Sequence, residues 1–500
     1  MTHAIILPIL LPLFTGALLL LLHRRTVTFK RAVSLVATLA LIPLSFWLVL
    51  LAGDDQLRVY ALGNWQPPFG IMLLLDRLSA VLVLLTAVLA SFSALYASAG
   101  EDSRAPNFHA LFQFQLAGIN GAFLTGDLFN LFVFFEILLI ASYGLLVYGN
   151  GAARARAGMH YVILNLLGSS FFLIGVGTLY GLLGTLNMAD LAAGVAVVDA
   201  DTAPLVAAAG FLLLVVFGLK AAILPLYFWL PRTYSAASAP VAALFAIMTK
   251  VGLYAILRVF TMIFGSEAGE LANYANEWLW WLALLTVAFA AVGTLGAPSL
   301  QEQIAYLLLV SVGSLLAVFA QSTSASIGAG LYYLLHSTLV CGGLFLLADL
   351  LARQRGALAG ALQVGPQLRQ PMLLGSLFFL GALAVAGLPP LSGFLGKLLM
   401  LRAVGDGAHA AEFWTILLVA GLVSIVALSR AGNRLIWRNN GQTSEGPLVD
   451  PVRLLAAAGL LLMAVGLVVI AQPLQEYLNA TAAQLLDLAP YLRIVVGAGA

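Results

Sequence analysis

The chain has 500 residues, 62% of them hydrophobic and 9% charged, with a formal net charge of +2. Soluble domains carry about 25% charged residues, so a water-soluble globular protein is excluded. The mean hydropathy of +1.03 places the chain in lipid instead. A lone cysteine, Cys341, allows neither an internal disulfide nor a Cys-ligated iron–sulfur cluster. Zinc spacings, catalytic triads and phosphate loops are also missing, so no cofactor, metal or nucleic acid is expected.

Apolar runs of about 20 residues recur along the whole length, the mark of an all-α polytopic membrane protein. Fourteen spans are predicted, at 4–22, 33–52, 71–98, 109–126, 128–149, 159–182, 204–230, 239–264, 276–297, 301–321, 326–352, 372–401, 413–430 and 453–472. The first run has no basic start and no small-residue cleavage site, so it reads as a retained helix. No long polar stretch intervenes, so residues 1–500 form a single membrane domain.

The connecting loops fix an orientation. Loops after odd-numbered spans hold fifteen Arg or Lys residues, among them Arg104, Arg156, Arg232 and Arg353; those after even-numbered spans and the tail hold three, Arg58, Arg402 and Arg493. That asymmetry is the positive-inside pattern and predicts both termini on the outer side of the membrane, away from the cytoplasm.

Within the spans the informative residues are ionisable. Three of the four lysines, Lys220, Lys250 and Lys397, lie inside predicted spans. Each costs roughly 2.5–3.5 kcal/mol to insert at mid-bilayer. Unlike arginine, lysine releases its proton readily when buried. Glu136, in FNLFVFFEILLIASYGLL, is the buried acid, and an ion pair with Lys220 between spans five and seven is predicted. Such a pair would also serve to fix helix register. His336, in YYLLHSTLV, reads equally as a relay or as a satisfied core histidine. For Asp76 a local pair with Arg77 and a functional role serve equally as explanations; Asp349 is expected to be structural, facing the arginines at its span end, and Arg258 to snorkel or pair.

Two spans carry helix breakers beside these lysines. Pro225 and Pro231 follow Lys220 in GLKAAILPLYFWLP, and Pro389, Pro390 and Gly393 precede Lys397 in AGLPPLSGFLGKLLML. Broken helices survive at membrane depth only where the freed backbone is buried in protein or lines a wet cavity. The breaks are five spans apart, so they cross in opposite directions. Spans 4–8 (109–264) and 9–13 (276–430) therefore read as two inverted five-helix repeats.

With these residues in hand, TGDLFNLFVFFEILLIASYGLL, GLKAAILPLYFWLPRTYSAASAPVAALFAIMTKVGLY and AGLPPLSGFLGKLLML resemble the antiporter-like proton-translocating subunits. That family is shared by respiratory complex I, membrane-bound hydrogenases and Mrp-type (Pha, Mnh) monovalent cation/proton antiporters, and the likeness is greatest to the D-type Mrp subunit. The resemblance implies a non-enzymatic transporter subunit in which Glu136, Lys220, Lys250, His336 and Lys397 pass protons. It implies partners too: subunits A, B, C, E, F and G, with H+ and Na+ or K+ as cargo. The alternative it implies is a proton-pumping subunit of a redox-driven complex. Val340 stands where many relatives carry a lysine, four residues after the histidine. The link from Lys250 to Lys397 is therefore expected to rest on His336, Tyr332 or Tyr333, Ser311 or Ser314, and water.

Overall fold

The computed structural model describes residues 2–65, 70–405, 407 and 409–496. Helices account for nearly all of it. The chain opens with α1 (Leu7–Leu21) and α2 (Val27–Ala52). Pro12 lies inside α1 and cannot donate to Pro8, four residues back. Asn120 Nδ2 donates to that freed carbonyl across the helix interface at 2.8 Å. Here a buried amide substitutes for a missing backbone donor.

The third apolar run does not form one span from residue 71. β1 (Arg58–Ala61) and β2 (Met72–Leu75) pair antiparallel, and α3 (Arg77–Ser98) starts only after them. Asp76 is the reason. Its carboxylate accepts from Ser79 N and Ser79 Oγ receives Asp76 N, a capping box that sets the helix start.

Next come α4 (Phe108–Leu124), α5 (Leu128–Leu146), α6 (Ala152–Leu183) and the short α7 (Met188–Ala196). α6 has 32 residues and so runs about 48 Å, longer than the ~30 Å hydrocarbon layer. The seventh run divides as its prolines foretold: α8 (Ala203–Ala221) stops at Ala222 (φ +60°) and the chain resumes helically as α9 (Trp229–Ala236). Pro231 is not a second break. It occupies the first turn of α9, where the missing N–H has no helical acceptor to lose.

The eighth run is α10 (Ala239–Phe245) followed by α11 (Met248–Met262), joined by a tightened turn at Ala246-Ile247. Tyr234 OH donates to Phe245 O at that joint. After α12 (Asn276–Gly296) and α13 (Leu300–Ala320), α14 (Ser324–Gln354) is buried along almost its whole length. The twelfth run splits into α15 (Pro371–Ala386) and α16 (Ser392–Val404), with Gly387 in the left-handed region between them.

α17 (Ala410–Gly432) and α18 (Pro451–Val469) follow, and a short parallel pair, β3 (Gly365–Gln367) with β4 (Asn439–Thr443), ties two loops together. Two helices went unforeseen, α19 (Ala471–Leu486) and α20 (Ala489–Val496).

Each of the fourteen predicted runs overlaps a helix or a broken helix pair. Eleven helical segments among the described residues are long and apolar enough to cross a membrane. The interior is formed by α3, α10, α11, α13 and α14. Around it α2, α6, α12 and α17 turn large apolar side chains outward, such as Phe46, Leu166, Val292 and Leu418. Exposed apolar bands of this kind are stable only against lipid or another membrane subunit.

Candidate functional site

Lys220 is buried at the last turn of α8, immediately before the break. Its Nζ donates to Asn165 Oδ1 of α6 at 3.1 Å and lies 5.8 Å from the centroid of Phe135. Glu136, on α5, is half-buried and accepts a hydrogen bond from Ser169 Oγ. Ser169 also donates to Asn165 O at 3.0 Å.

The predicted ion pair between Glu136 and Lys220 is therefore not a direct contact: no oxygen of Glu136 lies within 4.0 Å of Lys220 Nζ. One turn of α6 is interposed, with Asn165 facing the lysine and Ser169 the carboxylate. These two residues were missed in the sequence. Their signal was present, polar side chains four apart in an otherwise apolar helix, but such pairs are common in close helix packing.

The break is filled by protein. Leu224 N donates to Thr286 Oγ1 of α12 at 2.9 Å, and Trp229 Nε1 donates to Leu219 O at 3.3 Å. Trp229 also stacks on Tyr161, at 5.0 Å between ring centres. Gly252 of α11 packs directly on the backbone of residues 220 and 221. A Cβ there would sit 2.4 Å from Ala221 N and 2.8 Å from Lys220 C. Only glycine permits that approach.

Lys250, two residues before Gly252, is fully buried and donates to Ser311 Oγ of α13 at 3.2 Å. Ser311 in turn donates to Leu308 O. His336, in the middle of α14, bonds through Nδ1 to Ser392 Oγ at 2.8 Å and stacks on Tyr333 at 5.6 Å. Ser392 opens α16, so the histidine touches the second break itself. Gly393 allows the contact; a Cβ there would be 1.8 Å from Ala384 O and 2.9 Å from His336 Nε2. Lys397, one turn further, donates to Val385 O at 3.2 Å and to Ala386 O at 2.9 Å. Those are terminal carbonyls of α15, the negative end of its dipole, and they hold an ammonium group without a carboxylate. A cavity of about 290 Å³ opens beside it, lined by Gly387, Leu401, Leu417 and Gly421.

The five expected residues thus fall into three clusters: Glu136–Ser169–Asn165–Lys220, Lys250–Ser311, and Tyr333–His336–Ser392–Lys397. No side-chain hydrogen bond joins one cluster to the next among the described residues. Tyr332 takes no part, because its hydroxyl donates to Leu467 O of α18, and Ser314 is bonded back to Val310 O of its own helix.

Other buried charges serve elsewhere. Asp76 accepts from Arg258 Nη1 at 2.5 Å and from Tyr491 OH at 2.9 Å, whereas Arg77 pairs with Asp55 at 2.6 Å. The local Asp76–Arg77 pair is therefore replaced by a contact with α11, because the cap geometry turns Asp76 inward. Asp349 pairs with Arg353 at 2.6 Å and accepts from Tyr96 OH. Nearby, Asp102 holds Arg31 through two hydrogen bonds and His109 through one. Burial alone would raise the Asp102 carboxyl; His109 and Arg31 outweigh it and hold the group below the usual carboxylate range.

The structure thus places three lysines, each hydrogen-bonded to neutral side chains or carbonyls, among two broken helices. Residues 125–426, containing all five of these side chains, match the family described as NADH:quinone oxidoreductase/Mrp antiporter, TM. The chain belongs to this family. It is 42% identical to the D-type subunit of the probable K(+)/H(+) antiporter of Rhizobium meliloti, covering 97% of this chain and 96% of the relative. With the D-type subunit of the Na(+)/H(+) antiporter of Bacillus subtilis it shares 40% identity over 89% of each chain. The fold superimposes on a chain of the Mrp complex from Dietzia sp. with a TM-score of 0.91 at 26% identity, over 99% of this chain and 100% of that one.

Proposed function

We propose that this chain is the D-type subunit of an Mrp-type antiporter in a bacterial cell membrane, exchanging H+ for Na+ or K+ together with subunits A, B, C, E, F and G. It acts as a secondary transporter component, not an enzyme. Both termini lie on the outer side, and residues 109–264 and 276–430 are two inverted repeats, each with one broken helix beside a lysine. The observation that carries the reading is the Glu136–Ser169–Asn165–Lys220 cluster, a half-buried acid and a buried base bridged through one turn of α6.

In this mechanism a proton reaches Lys220 while Glu136 is close enough to offset the buried charge. When Glu136 and Ser169 withdraw, the ammonium loses that compensation and the proton moves on. It passes to Lys250 and then to the His336–Ser392 pair and Lys397, with water spanning the two gaps. High identity to D-type antiporter subunits along almost the full chain favours this reading over a redox-driven pump.

The test uses the whole assembly in vesicles, with an imposed Na+ or K+ gradient and an entrapped pH dye. Glu136→Ala and Lys220→Ala should each abolish cation-driven proton movement while subunit composition is retained. Normal proton movement by either assembled variant overturns the role given to the Glu136–Lys220 cluster.

A further inference from the structure

One cavity belongs to none of these clusters. It has a volume of about 540 Å³ and lies between the start of α6 and the length of α9. Arg156, His160 and Arg232 line it, with Phe228 and Trp229 on its apolar side. The two arginines use only their backbone carbonyls locally, for His160 Nδ1 and Ser235 Oγ. Neither guanidinium has a hydrogen-bond or ion-pair partner among the described residues. Glu302 belongs to the same region but stays beyond 4.0 Å of Arg232. By contrast Arg154, near His160 on the same helix, is fully engaged, donating to Ala236 O at 3.0 Å and Tyr148 O at 2.6 Å. It fastens the start of α6 to the end of α9, the two elements that line the cavity.

Depth is set by α6. Arg156 precedes Asn165 by nine residues, about 14 Å along the helix. If the Asn165–Lys220 layer is near mid-bilayer, Arg156 stands where hydrocarbon gives way to headgroups. Below it α6 presents an exposed apolar face through Met159, Ile163 and Leu166, and Phe228 is exposed on the other flank. The site therefore combines an unpaired double-arginine mouth at headgroup depth with an apolar track running into the bilayer.

We infer that this cavity is a binding site for an anionic phospholipid, its phosphate held by Arg156 and Arg232 and its acyl chains laid along α6. Arginine forks suit phosphate oxygens, and the cavity has room for a phosphoglycerol headgroup as well as the phosphate. A lipid seated there binds both α6 and α9, the two elements that frame the approach to Lys220. The inference stands independently of the antiport mechanism.

The experiment takes the intact assembly, stripped of lipid in detergent, and titrates it with phosphatidylglycerol while native mass spectrometry counts bound lipid. A charge near an anionic headgroup is worth about 5-fold in affinity, so Arg156→Gln with Arg232→Gln should weaken the tightest phosphatidylglycerol site about 25-fold. Arg156→Lys with Arg232→Lys should keep most of the affinity. Removing the same charge elsewhere, with Arg24→Gln and Arg25→Gln, should leave the site unchanged. Equal binding by the parent and the Arg156/Arg232 glutamine pair overturns the proposal, as does equal loss in the Arg24/Arg25 control. Displacement of the lipid by millimolar inorganic phosphate also overturns it, by making the free anion the ligand.

Discussion

Replacing Gly252 by alanine tests whether the close approach of α11 to the broken end of α8 matters for proton transfer. The added Cβ would meet Ala221 N at 2.4 Å and Ala221 Cα and Lys220 C at 2.8 Å, all backbone atoms that cannot rotate away. Restoring an ordinary contact of about 3.4 Å requires α11 to move by about 1 Å, since 3.4 less 2.4 is 1.0. Overpacking of this size costs about 1–3 kcal/mol. Lys250 is two residues away on the same helix, so the shift separates it from Lys220. A misplacement of about 1 Å in a transfer geometry can cost about 100-fold. Initial rates of cation-driven proton movement in vesicles should therefore fall by one to two orders of magnitude, with a lowered melting temperature. Gly177→Ala, where a Cβ meets nothing within 4 Å, is the control and should be neutral. A Gly252→Ala assembly that melts and transports like the parent would refute the argument.

Three further outcomes are expected. Asn165→Leu removes the acceptor of Lys220 Nζ; losing a hydrogen bond to a charged group, about 1.5–3 kcal/mol, should slow transport about 10- to 100-fold in complexes that still assemble, and unchanged rates would exclude α6 from the path. Asp76→Asn should destabilise the fold by about 3–5 kcal/mol, because Arg258 is left buried without its counter-charge; the double change Asp76→Leu with Arg258→Met should recover much of that in a thermal melt. Asp102 titrates lower in the folded protein than unfolded, so its stabilisation is present above the ordinary carboxylate pKa and is lost as pH falls through the folded value. The melting temperature of the parent should accordingly drop below about pH 4, and Asp102→Asn should show a shallower slope there.

Much of this protein was legible along one dimension. Span positions follow from hydropathy because lipid demands about 20 apolar residues to cross, and the breaks at Pro225 and at Pro389-Pro390 follow from the missing donor of proline. Buried lysines are conspicuous because a charge in hydrocarbon is costly wherever the chain folds. What hydropathy could not give was partnership. Asp76 stands beside Arg77 in sequence, yet its capping role turns it toward Arg258 across the fold. Residues 72–75 read as part of a span and became a strand, since Asp76 starts the helix later. Lys220 and Glu136 announced themselves singly, but that Asn165 and Ser169 stand between them was settled only when α6 packed against α5 and α8. The sequence alone determines which residues are too costly to bury without a use, because that cost is set by the solvent. Which atoms share that cost is decided by packing, because a hydrogen bond depends on ångströms between helices that no spacing along the chain encodes.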